Sequence, residues 1–150
     1  MKIVLGADHA GYAAKEELKK WLQSKGHDVS DVGTISEEST DYPDYAVQLC
    51  RSIETGEREI GILVCGTGIG MSIAANKCRG IRAAVCHDEF TAEMARAHNH
   101  ANVLCCGARV LSQEGIQNVV DKFLTSGEMT GNHERRIGKV MRLEEKWCLD

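Results

Sequence analysis

Ile60-Gly61-Ile62-Leu63-Val64-Cys65-Gly66-Thr67-Gly68-Ile69-Gly70 is a short aliphatic run that ends on a cysteine and passes directly into three closely spaced glycines. A β-branched and aliphatic run of this length, closed by a turn signal, reads as a buried strand over Ile60 to Cys65. Without Cβ atoms, Gly66, Gly68 and Gly70 let the chain turn so that several amides face one small anion. Met71 to Lys77 continues with helix-forming residues, which sets the loop at a helix N-terminus and makes Cys65 a candidate for a stabilised thiolate. The bland alternative is an inert core cysteine beside glycines needed only for packing. A nucleotide is excluded by spacing. The dinucleotide fingerprint requires glycine where Met71 or Ile73 stands, and the ATP-type loop requires Gly-Lys followed by Ser or Thr.

Working outward from that junction, strand and helix patterns alternate. Strands are predicted at Lys2 to Ala7, His27 to Val32, Ile60 to Cys65, Ile81 to Cys86 and Asn102 to Cys106. Helices are predicted at Ala10 to Lys25, closed by Gly26; at Pro43 to Glu54, opened by proline; and at Gly68 to Lys77, Asp88 to His98 and Ser112 to Thr125. The expected fold is α/β, a single-domain, doubly wound, five-stranded parallel sheet with helices on both faces, and an extra C-terminal helix from His133 to Trp147. Ile116, Val119, Val120 and Phe123 of the fifth helix, with Ile137, Val140, Met141 and Leu143 of the last, are expected to bury surface between subunits.

The 150 residues, 43% hydrophobic with one proline, fit one domain over residues 1–150. A net charge of −4 argues against a nucleic-acid partner. No apolar run is long enough for a membrane span and the N-terminus enters a strand at once, so no membrane partner and no signal peptide are expected. Seven cysteines without a Cys-x-x-Cys pair read as free thiols in a reducing cytoplasm, with Cys105 and Cys106 as strand filler.

In doubly wound sheets the ligand site lies past the carboxyl ends of the strands. Asp8 and His9, Cys65 to Gly70, His87 and Asp88, and Gly107 to Arg109 are then the rim residues. His98, Asn99, His100 and Asn102 fall at the other end of the sheet, so a second subunit is expected to bring them to the rim, with Cys65 and Asp8 coming from one chain and His98 and Arg109 from the other.

Asp8-His9-Ala10-Gly11, Asp41-Tyr42-Pro43, Cys65-Gly66-Thr67-Gly68-Ile69-Gly70 with Ser72 to Lys77, and His98-Asn99 with Asn102-Val103 together resemble the ribose-5-phosphate isomerase B family. That group includes the galactose-6-phosphate isomerase subunits. The resemblance covers nearly the whole chain in order and implies a Rossmann-like aldose–ketose isomerase that uses no metal and no organic cofactor. It works as a homodimer or dimer of dimers with shared active sites, on a small sugar-phosphate substrate. Cys65 corresponds to the family's proton-transfer base and Thr67 to its hydroxyl neighbour, while Asp8 and His98 correspond to residues associated with ring opening. The amides of Gly66, Gly68, Ile69 and Gly70 would form an anion hole; His9, Tyr42 and Asn99 would line the substrate. Arg109, Asn132, His133 and Arg136 match the phosphate-binding positions, a task that suits a guanidinium fork. Arg135 is a further basic neighbour. Two departures stand out: the family more often has arginine where Asn132 stands and aspartate where His100 stands. The expected reaction interconverts ribose 5-phosphate and ribulose 5-phosphate. A hexose 6-phosphate isomerase and a non-catalytic sugar-phosphate-binding module are the alternatives.

Overall fold

The computed structural model describes residues 1–147. Its elements run β1 (Lys2–Ala7), α1 (Tyr12–Ser24), β2 (Asp28–Asp31), α2 (Tyr42–Glu54), β3 (Ile60–Cys65), α3 (Ile69–Ala75), β4 (Ala83–Val85), α4 (Glu89–Asn99), β5 (Val103–Gly107), α5 (Gln113–Thr125) and α6 (Asn132–Trp147). All five strands are parallel, in the order β2-β1-β3-β5-β4. From β1 the chain winds outward to β2 and then returns to the other side as β3, so the switch in strand order lies between β1 and β3. The expected α/β doubly wound sheet and the extra helix α6 are therefore both present. No helix among the described residues is long and apolar enough to cross a membrane.

Strand alternation divides the core in two. Ile3, Leu5, Ile62, Val64 and Leu104 face a layer built by α1, α4 and α5. Val4, Leu63, Cys65, Val103 and Cys105 face Leu49 of α2 and Met71 and Ala75 of α3. Several ends follow from local chemistry. Gly26 adopts φ +84° and passes its N–H to Gln23 O while His27 N–H reaches Leu22 O, closing α1. Ser112 and Asp88 cap α5 and α4 by accepting the amides of Gly115 and Thr91.

Three expectations are corrected. The fourth strand, expected over Ile81 to Cys86, is only three residues long, because asparagine side chains take over the pairing at its start. Asn102 brackets Gly80 O and Arg82 N, while Asn76 donates to Ala83 O and accepts from Ala83 N, both at 2.8 Å. The second strand also shortens, to four residues. Finally, Ile116, Val119, Val120 and Phe123 are not left for a partner: they are at most 2% exposed inside the chain's own core, since α5 packs on β5 between α1 and α4. Among the described side chains of α6 only Ile137 is buried, and Val140 and Leu143 remain about half exposed.

Candidate functional site

The β1–β3 switch gathers the first half of the expected site. Ala7 pairs with Val64, so Asp8 and Cys65 leave adjacent strand ends. Asp8 Oδ1 accepts the amides of Ala10 at 3.0 Å and Gly11 at 3.2 Å, closing the turn ahead of α1. It is not the cap of α1, whose N-cap is Gly11 with no side-chain bond. A Cβ on Gly11 would stand 2.1 Å from Val64 O, so only glycine allows this turn to rest on the end of β3. His9 accepts the Thr40 amide at Nδ1, 3.2 Å, which leaves the hydrogen of its neutral ring on Nε2. The segment carrying Thr40 follows β2, whose end is pinned by Asp31. There Lys15 Nζ, 1% exposed, lies 2.6 Å from Asp31 and 2.7 Å from Glu16. Burial works against that ammonium, but the hydrogen bonds it donates to Asp31 and Glu16 prevail and raise its pKa.

The glycine loop is held tightly. Cys65 Sγ accepts the Gly68 amide at 3.1 Å, with Gly68 at φ +81°. Thr67 Oγ1 accepts the Ile69 amide at 3.3 Å, which leaves its hydroxyl hydrogen free to donate outward. Two of the amides expected in an anion hole are thus engaged inside the loop. Of the two expected donors left over, Gly66 precedes the helix, and Gly70 lies in the first turn of α3, which has no intrahelical acceptor for its amide. Gly70 lies under the Tyr42 ring, where a Cβ would come within 2.8 Å of the ring carbons. Other thiols behave as core: burial pushes Cys86 up to about 11 and raises Cys105 and Cys106 well above the usual thiol range.

Arg109 corrects another expectation. It was expected to arrive from a partner subunit, yet its Cδ, Nε and Nη1 lie 3.3–3.4 Å from where a Gly66 Cβ would be, in the same chain. The reason is strand order: β5 is the immediate neighbour of β3, with Gly107 opposite Cys65, so a residue just past β5 falls on the loop just past β3.

His98 and Asn99 end α4 ahead of β5, at the opposite end of the sheet. Register pairs Gly61 with Val103 and Cys65 with Gly107, so the two ends are about 13 Å apart along the strands. His98 stacks on His133 of α6, ring centroids 4.2 Å apart and planes 17° from parallel. Burial, then electrostatic repulsion from the side of His98, Arg136 and His100, lowers the His133 pKa from the ordinary imidazole value. Asn132 and Arg136 lie exposed on the first turns of α6. The expected residues therefore form two groups: Asp8, His9, Tyr42, Cys65 to Gly70 and Arg109 on one rim, and His98, Asn99, Asn132, His133 and Arg136 on the other. Among the described residues no three His, Cys, Asp or Glu side chains gather as metal ligands do.

The family model for Ribose/Galactose Isomerase matches residues 3–140. The chain belongs to this family. Among ribose/galactose isomerase relatives, ribose-5-phosphate isomerase B of Escherichia coli K12 is 43% identical over 145 residues, covering 97% of each chain. The structure of ribose-5-phosphate isomerase B from Clostridium thermocellum superposes with a TM-score of 0.97 at 44% identity, covering 98% of this chain and 99% of that one. A Mycoplasma genitalium ribose-5-phosphate isomerase B with bound ribulose-5-phosphate gives a TM-score of 0.91 at 37% identity over 96% of each chain.

One residue of this ribose/galactose isomerase was seen in the sequence only as part of the rim. His87, just past β4, places Nε2 3.0 Å from Thr67 O, across the end of β5. A histidine at a strand end was visible, but its acceptor was not, because strand order is a tertiary property.

Proposed function

We propose that this chain interconverts ribose 5-phosphate and ribulose 5-phosphate, as one catalytic domain over residues 1–150. One observation carries this reading: a cysteine at the β1–β3 switch point whose sulfur accepts a main-chain amide, beside the Asp8 turn and under Arg109. The names of its relatives support the pentose over a hexose, since ribose-5-phosphate isomerase B recurs among them and one structure holds ribulose 5-phosphate.

In this reading, Asp8 and His98 open the cyclic sugar by moving a proton between the anomeric hydroxyl and the ring oxygen. The Cys65 thiolate then takes the proton from C2, and the C–H electrons form the C1=C2 bond of an enediolate as the C1 carbonyl becomes an oxyanion. Amides at the start of α3 and the Thr67 hydroxyl stabilise that oxygen. Cys65 returns its proton to C1, the hydroxyl proton on O2 passes to O1, and C2 becomes the carbonyl. Gly66, Gly68, Ile69 and Gly70 shape the hole, and His9, Tyr42 and Asn99 contact hydroxyls. Arg109, Asn132, His133 and Arg136 bind the phosphate. No metal or organic cofactor is required by this sequence of steps. Because the two groups of residues lie at opposite ends of the sheet, the active unit is a homodimer, or a dimer of dimers, with shared sites. One chain supplies Asp8, Cys65 and Arg109, and the other His98, His133 and Arg136. The free thiols suit a cytoplasmic setting.

Subunit exchange tests the arrangement. Cys65→Ala and His98→Asn proteins, each strongly impaired with ribose 5-phosphate, should gain turnover well above either alone when mixed, because one site per heterodimer is intact. Demonstrated exchange without recovery defeats the shared site. A coupled assay of the parent with ribose 5-phosphate and with allose and galactose 6-phosphates tests the substrate; hexose turnover alone would replace the pentose reading.

A further inference from the structure

The peptide unit between Thr67 and Gly68 is held at both ends. Its N–H donates to Cys65 Sγ at 3.1 Å, and its carbonyl accepts from His87 Nε2 at 3.0 Å. A carbonyl can only accept, so Nε2 carries the hydrogen. We propose that His87 is a positioning residue for proton transfer, locking the Thr67–Gly68 peptide in the orientation that presents its N–H to the sulfur of Cys65.

Two features make the lock necessary and possible. Gly68 sits at φ +81°, and glycine has no Cβ to penalise rotation of the peptide before it, so this unit is free to turn over unless something outside the loop holds it. Turned over, it would aim the Thr67 carbonyl at the sulfur, where a negative charge is least welcome. The second feature is Gly107. A Cβ there would stand 2.7 Å from Thr67 Cα and 2.9 Å from Gly66 O. Its absence lets the loop lie across the end of β5 and reach His87 beyond it. The donor at the carbonyl also polarises the amide, so the N–H it leaves is a stronger donor to a thiolate. The effect is carried across three adjacent strands, β4, β5 and β3. Other titratable or charged groups around the pair are Asp88 beside His87, Asp8 and Arg109 on the rim, Tyr42 over Gly70, and the Cys86, Cys105 and Cys106 thiols beneath.

This role rests on Cys65 being the base of the proposed isomerase, but its test does not require turnover. Alkylation of Cys65 by iodoacetamide is followed against pH by peptide mass spectrometry, which separates this thiol from the others. In His87→Phe the midpoint should move up by about half to one pH unit. His87→Gln, whose amide nitrogen can replace Nε2, should restore it. With ribose 5-phosphate, kcat should fall about tenfold in the Phe variant at unchanged KM. A folded His87→Phe protein with the parent's Cys65 profile overturns the proposal. So does a nitrogen-15 spectrum of the unsubstituted protein in which His87 Nε2 bears no hydrogen at about pH 8, well above the imidazole range, a measurement that does not depend on any variant folding. If the parent turns over no sugar phosphate while the Cys65 profile still shifts, the isomerase reading fails and the positioning stands.

Discussion

The two ends of the sheet carry similar side chains in opposite conditions. At the carboxyl end, His9 and His87 each have one ring nitrogen bound to the main chain, at Thr40 N–H and Thr67 C=O, and Arg109 rests against Gly66. At the amino end, His98 and His133 rest on each other, and Arg136 stands exposed on α6. Binding a neutral imidazole to a backbone group fixes which nitrogen donates; stacking two imidazoles fixes neither and makes a charge on one costly for the other. The first end is organised by its own chain, whereas the second, in the proposed reading, would be completed by the substrate phosphate.

Breaking the organised end should cost most. Cys65→Ala is expected to lower kcat for ribose 5-phosphate by about 10³-fold or more while sugar-phosphate affinity, measured by calorimetry, stays near that of the parent. Turnover within tenfold of the parent would move the base elsewhere. His98→Asn, at the open end, should reduce turnover of the cyclic sugar by roughly 10²-fold and spare proton exchange on an open-chain substrate. Equal losses on both would show that the two ends do not divide the work.

Gly70→Ala should cost less. Its new Cβ meets the far edge of the Tyr42 ring at 2.8 Å, and an exposed side chain can swing away. KM should therefore rise about threefold with kcat nearly intact. A fall in kcat equal to that of Cys65→Ala would mean that the loop itself had moved. The smallest expected effect concerns protons. The His133 pKa is lowered, so its ring holds fewer protons near neutral pH than an ordinary imidazole, and a phosphate dianion bound there raises it. Binding should thus take up protons, seen as a dependence of calorimetric heat on buffer ionisation enthalpy. That dependence should fade above about pH 8. A buffer-independent heat near pH 6.5 would place the phosphate away from His133.

Much of the organised end was legible in the sequence because it is local. The strand ending on Cys65, the glycine turn, and the helix starts at Asp88 and Ser112 are set by residues within a few positions of one another. The sheet's order was not legible: nothing near Arg109 or His87 tells that β5 lies between β3 and β4, so Arg109 was assigned to a partner and the partner of His87 was missed. The same gap explains α5. Its apolar face was plain, but whether that face meets its own sheet or another subunit depends on which strands lie beneath it. The stack of His98 on His133 joins α4 to α6 over a long separation and left no periodic trace.

Asn76 has a consequence for how copies of the chain can meet. β4 is an outer strand, and the outward N–H and C=O of Ala83 are both taken by the Asn76 side chain at 2.8 Å. An amide group carries one donor and one acceptor in the spacing of a peptide, so this side chain imitates a single residue of a sixth strand and then stops. A copy that tried to extend the sheet across this border would first have to break both bonds. Growth into a continuous ribbon is discouraged on that side, and association is directed to surfaces made of helices, where stoichiometry is limited by shape.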